Sequence, residues 1–126
     1  NFQATETDTH GGWDNSNMRY TIPSGKSGNY FVSGGIRFPY LDDQERFFIQ
    51  WRIDGTAHQR GEHFQWYSGP DNDDNLRYTF NTTFELNASQ YIELFVYHNE
   101  GAARNFDGGS SSQNTYTFFN GFRLDI

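Results

Sequence analysis

LRYTFNTTFEL at residues 76–86 and YIELFVYH at 91–98, joined by NASQ, form the stretch on which the fold turns. In the first segment Tyr78, Phe80, Thr82, Phe84 and Leu86 alternate with Arg77, Thr79, Asn81, Thr83 and Glu85. A period of two residues belongs to a strand with one dry and one wet face; a helix would repeat at three or four. The second segment differs. Ile92, Leu94 and Val96 occupy one face, and Tyr91, Phe95 and Tyr97 occupy the other. A strand apolar on both faces needs a dry layer on each side. That second layer is either a loop of the same chain or further copies of it around a symmetry axis, since three large exposed aromatics invite aggregation. Tyr91, Phe95 and Tyr97 are therefore the expected interface between copies, the trimer interface if the axis is three-fold. The expected inner core is Tyr78, Phe80, Phe84, Leu86, Ile92, Leu94, Val96, Phe122 and Leu124.

Outward from this stretch the same period recurs. In GNYFVSGGIRFPY (28–40) Tyr30, Val32, Ile36, Phe38 and Tyr40 share a face, and in RFFIQWRID (46–54) Phe47, Ile49, Trp51 and Ile53 do. Asp54-Gly55 follows as a two-residue turn signal. HFQWY (63–67) and TYTFFNGFRL (115–124) are further strand candidates. Short strands without helices between them predict an all-β, antiparallel fold, a two-sheet sandwich or a barrel. No internal repeat or linker divides residues 1–126, so they read as a single domain. The abrupt start at Asn1-Phe2 reads as a C-terminal piece of a longer chain.

The composition agrees. Phe 13, Tyr 8 and Trp 3 supply a 19% aromatic content, and Gly 13 with many Asn, Asp, Ser and Thr supplies turns. The net charge of −7 and the single lysine, Lys26, exclude nucleic acid as the main ligand. No apolar run is long enough for membrane insertion. No cysteine is present, which leaves a reducing origin open and is also compatible with a phage or bacterial surface protein stabilised by oligomerisation. No G-x-S-x-G or other nucleophile signature occurs, and the chain reads as non-catalytic.

Several segments resemble, in order, the globular-head family of complement component 1q. FNGFRL (Phe119 to Leu124) is similar to that family's closing F-(S/T)-G-F-L-L strand, and SQYIELFVY (Ser89 to Tyr97) to its G-D-x-V-x-L-x-V-Y segment. Ser89 and Gln90 stand where the family has Gly-Asp. Pro23 followed by GNYF (Gly28 to Phe31) resembles P-x-x-G-x-Y-x-F, and FQAT (Phe2 to Thr5) resembles the first strand. The resemblance implies a jelly roll of about ten strands, tumour necrosis factor-like, assembled as a compact homotrimer. It also implies that the penultimate long strand sends aromatics toward the three-fold axis. The family's calcium loop before the last strand corresponds to Phe106 to Asn114, where Asp107 is the only acid.

Candidate ligand residues are few. Trp13 in GGWDNSN lies among polar residues, so Trp13 with Asp14 and Asn15 is a candidate sugar platform, and Trp66 is another. DNDDN (71–75) crowds Asp71, Asp73 and Asp74 into one turn; Ca2+ is the cofactor hard oxygens would take. The expected function is a trimeric recognition or assembly domain, the head or decoration module of a virion fibre or surface protein. Its partners are itself and a glycan or cell-surface receptor, at an extracellular or virion surface. The alternative is a monomeric carbohydrate-binding module with an exposed tryptophan platform.

Overall fold

The two segments that decide the fold become strands of opposite sheets. The computed structural model describes residues 7–38, 46–66, 76–99, 101, 103 and 117–124, with the backbone alone at 38, 46–47, 59–66 and 76–77. Among these, eight strands and no helix occur: β1 (Trp13–Asp14), β2 (Arg19–Thr21), β3 (Gly28–Phe38), β4 (Arg46–Ile53), β5 (Thr56–Trp66), β6 (Leu76–Leu86), β7 (Tyr91–His98) and β8 (Phe118–Leu124). They build a five-stranded sheet in the order β1-β2-β7-β4-β5 and a three-stranded sheet in the order β6-β3-β8. Every pairing is antiparallel.

Ile53 pairs with Thr56 across the Asp54-Gly55 turn. Both turn residues have positive φ, 50° and 76°, as a two-residue turn matched to strand twist requires. The turn is tied into the sheet: Asp54 Oδ1 accepts from the Tyr91 amide and Oδ2 from Gln90 Nε2, each at 3.0 Å, while the Asp54 amide donates to the Tyr91 carbonyl.

The inner faces of the two sheets share one core. Tyr30, Val32, Phe84 and Leu86 from the smaller sheet meet Trp51 and Ile92 from the larger, with Ile22 between strands. Ile36 and Ile49 continue it, lined by Tyr78, Phe80, Leu94 and Val96. The alternation read in 76–86 is reproduced: Phe84 and Leu86 are buried, while Thr79, Asn81, Thr83 and Glu85 are exposed. Burying these apolar side chains, at about 25 cal/mol per Å², is the main stabilising term of a two-layer fold.

One part of the expected core is corrected. Phe122 is not inside; it is 58% exposed and packs its ring 5.2 Å from Phe31 on the outer face. Leu124, two residues on, shares its phase and is only half-buried. The residue that enters the core from β8 is Phe119, opposite Gly34, with its ring 5.4 Å from that of Trp51. A Cβ at Gly34 would crowd Leu94 and Trp51, so the glycine leaves room for the indole that Phe119 packs against. The opposite phase contains Phe118, whose ring covers Gly35 so closely that a Cβ there would lie 2.3 Å from it.

Candidate functional site

Two outward sheet faces carry the chemistry. On the five-stranded sheet, β7 presents Tyr91, Glu93, Phe95 and Tyr97, and β4 presents Phe48, Gln50 and Arg52. The aromatics that sequence expects to meet other copies are partly satisfied within the chain. The Arg19 guanidinium lies over the Tyr91 ring at 4.2 Å, and that of Arg52 over Phe95 at 3.4 Å. A cation over a ring face gains about 0.5–2 kcal/mol, more as water is excluded. Arg52 is held flat by its Nε, which donates to Gln50 Oε1 at 2.9 Å. Gln50 is buried although its strand phase turns it away from the core. Phe48 stacks on Tyr97 with centroids 4.9 Å apart and planes at 18°. Tyr91 and Phe95 are thus half-buried, and Tyr97 is the exposed member at 36%. His98, at the end of β7, has a buried Nδ1 without a hydrogen-bond partner.

On the three-stranded sheet, Phe31, Phe118, Phe122 and Leu124 form a row along β3 and β8. Beside it β6 sets the exposed polar side chains of Thr79, Asn81, Thr83 and Glu85. Phe122 is the most exposed large apolar side chain among the described residues, while Phe31, Phe118 and Leu124 are half-buried. Sequence reading placed Phe122 inward and so missed this face. The signal was present in the in-phase positions 118, 122 and 124.

The sugar-platform residues are placed differently from one another. Trp13 pairs with Tyr20 at the edge of the larger sheet and turns inward, half-buried, with its ring 5.4 Å from Phe119. Asp14 shapes the turn that follows, accepting from the Ser16 and Asn17 amides at 2.9 and 3.0 Å and from Asn17 Nδ2 at 2.6 Å. Hydrogen bonds from Asn17, with smaller help from Arg19, hold its carboxyl below the ordinary carboxylate range. Asn15 is exposed in that turn. Trp66 ends β5 opposite Arg46. Asp71, Asp73 and Asp74 lie outside the described residues; among those described, no group of three His, Asp or Glu side chains is gathered to hold a metal ion.

Asp8 explains the inward set of Trp13. Its Oδ1 accepts from the His10 and Gly11 amides at 3.2 and 2.9 Å, and its Oδ2 from the Trp13 amide at 2.8 Å. Partial burial raises its carboxyl pKa, but the amides of Trp13, His10, Gly12 and Gly11 together outweigh this and leave it lowered. A depressed folded-state pKa contributes stability at neutral pH that is lost as pH falls through the folded value. Asp8→Asn is therefore expected to melt below the wild type at pH 7, with the gap closing as pH falls below the ordinary aspartate value of about 3.9. A gap that is constant across that range in thermal melts would show that the carboxylate charge is not what orders this loop.

No protein-family model matches the chain, and no curated protein matches it.

Proposed function

We propose that this chain is a non-catalytic, self-assembling recognition domain, a homotrimeric jelly roll of complement 1q and tumour necrosis factor type. Its place would be the head or decoration module of a virion fibre or another extracellular surface. The path of the chain supports the jelly-roll reading: β2, β3, β4, β6, β7 and β8 alternate between the two sheets, and among the described strands the local hairpins within one sheet are β1-β2 and β4-β5. The observation that carries the assembly reading is the row of Phe31, Phe118, Phe122 and Leu124, with Phe122 58% exposed. The row is apolar apart from Ser33 and Asn120, and the β6 positions beside it are polar. Such a face is costly to leave in water, and three copies meeting around an axis would bury it.

Phe122→Glu tests this. In a trimer it would bring three carboxylates into an apolar seam at a cost of several kcal/mol. The expected result by light scattering is a trimeric wild type and a monomeric Phe122→Glu protein with unchanged circular dichroism. A monomeric wild type would overturn the assembly reading and favour the carbohydrate-binding alternative. A Phe122→Glu protein that stays trimeric would move the interface to Tyr91, Phe95 and Tyr97. That second arrangement is favoured by the exposure of Tyr97, and Phe95→Glu in the same assay reports on it.

A further inference from the structure

Assembly through β3 and β8 leaves the outer face of the five-stranded sheet turned outward, and that face has the composition of a recognition site. At one level it carries a row across three strands. Arg19 of β2 stands opposite Glu93 of β7, and Glu93 opposite Arg52 of β4. Strands lie about 4.8 Å apart, so the two arginine positions are separated by about 10 Å. Both guanidiniums are already pinned on rings, Arg19 on Tyr91 and Arg52 on Phe95. Gln50 fixes the plane of Arg52 through Nε, a bond that does not use its two terminal nitrogens. Side chains held in this way lose little further freedom when a ligand arrives. Four residues along β7 from Glu93, about 13 Å at strand spacing, the exposed Tyr97 stacks on Phe48.

We propose that this face binds a neutral oligosaccharide, resting on the assembly reading above. One sugar ring lays its C–H face on Tyr97. Hydroxyls of a neighbouring ring donate to the Glu93 carboxylate and accept from the Arg52 guanidinium. A hydroxyl is both donor and acceptor, so an adjacent carboxylate and guanidinium satisfy it where two like groups would not. Charge decides for a neutral ligand. Arg19 and Arg52 are balanced by Glu93 and by Asp14, whose Oδ2 is 3.9 Å from Arg19 Nε, in a chain of net charge −7. An anionic sugar would have to approach Glu93 against that field. The span from Tyr97 to Glu93 is two to three sugar rings long. The flat sheet face suits a chain lying along it, and three copies on one trimer convert weak single contacts into attachment.

The test uses the intact assembly, titrated with lactose, cellobiose, mannobiose and maltotriose as neutral probes and with sialyllactose as the charged one. At least one neutral probe is expected to bind each copy near millimolar Kd. Tyr97→Ala and Glu93→Gln are each expected to weaken it by about tenfold or more with the oligomeric mass unchanged, whereas Trp13→Ala leaves it intact. Blank titrations with all neutral probes to about 10 mM, binding of sialyllactose alone, or binding that survives both β7 variants would overturn the proposal. So would dissociation of the trimer by Tyr97→Ala, because the face would then be an interface. Phe122→Glu separates the two readings. If it is monomeric and still binds at the same per-copy Kd, both stand; if the wild type is monomeric yet binds, only the assembly reading fails.

Discussion

Replacing Trp51 with alanine is expected to lower stability by about 4 kcal/mol, or about 15 °C in Tm for a domain of this size. Trp51 is fully buried at the centre of β4 and links both sheets. Its ring meets Phe80 at 5.2 Å and Phe119 edge-on at 5.4 Å, and it lies against Gly34. Truncation removes the largest side chain of the core and leaves a cavity that rigid strands on both sides can only partly close. The indole nitrogen has a separate energetic role: it is a buried donor with no hydrogen-bond partner. An unsatisfied buried N–H costs about 1–3 kcal/mol, so Trp51→Phe should lose far less than the lost area implies. Thermal melts of the two variants check both statements. A Trp51→Ala protein that melts within a few degrees of wild type would show that the core is not centred on this residue.

Gly34→Leu is expected to destabilise by about 3 kcal/mol from the opposite cause, too much volume. A Cβ at position 34 would sit 3.2 Å from Leu94 Cδ2 and 3.4 Å from Trp51 Cη2. Alanine asks those neighbours to give by a few tenths of an ångström; leucine adds three more carbons in the direction of the indole. The two variants are therefore coupled. In the Gly34→Leu, Trp51→Ala double variant the new side chain enters the space the indole left, and the combined loss should fall short of the sum by about 1–3 kcal/mol. Strict additivity in denaturant titrations would mean that Gly34 and Trp51 do not share the space assigned to them.

Where a strand has a dry and a wet face, its phase was legible in the residues. Phe84 and Leu86 of β6 and Ile92 of β7 lie where alternation puts them. β8 misled because it is apolar in both phases: Phe118, Phe122 and Leu124 in one, Phe119 in the other. The more apolar phase reads as the core, but Gly34 and Gly35 on β3 bear on the outcome, the first making room for the indole that Phe119 meets and the second seating Phe118 outside. β1 and β2 are two and three residues long, too short to display any period. In β5 the apolar signal is confined to HFQW, and the preceding TAHQRGE is polar and shows no alternation; its pairing with β4 defines it, and edge strands tolerate such composition. The aromatics of β7 were visible as a candidate face. Their arginine covers were not, because Arg19 and Arg52 reach Tyr91 and Phe95 across strands far apart in sequence.

The pairing order also fixes a timetable for folding. Among the described strands only β1-β2 and β4-β5 are chain neighbours paired across a short turn; β2 waits for β7, and β3 waits for β6 and then for β8. A topology dominated by distant partners closes slowly, since the chain must surrender loop entropy before those contacts form. The Asp54-Gly55 hairpin is the natural early event, and Asp54 then offers the arriving Tyr91 amide a ready acceptor. β8 comes last in chain order, bringing Phe118 and Phe122 with it. During synthesis the aromatic row on the smaller sheet is therefore incomplete until every other described strand has emerged, which shields nascent chains from premature association.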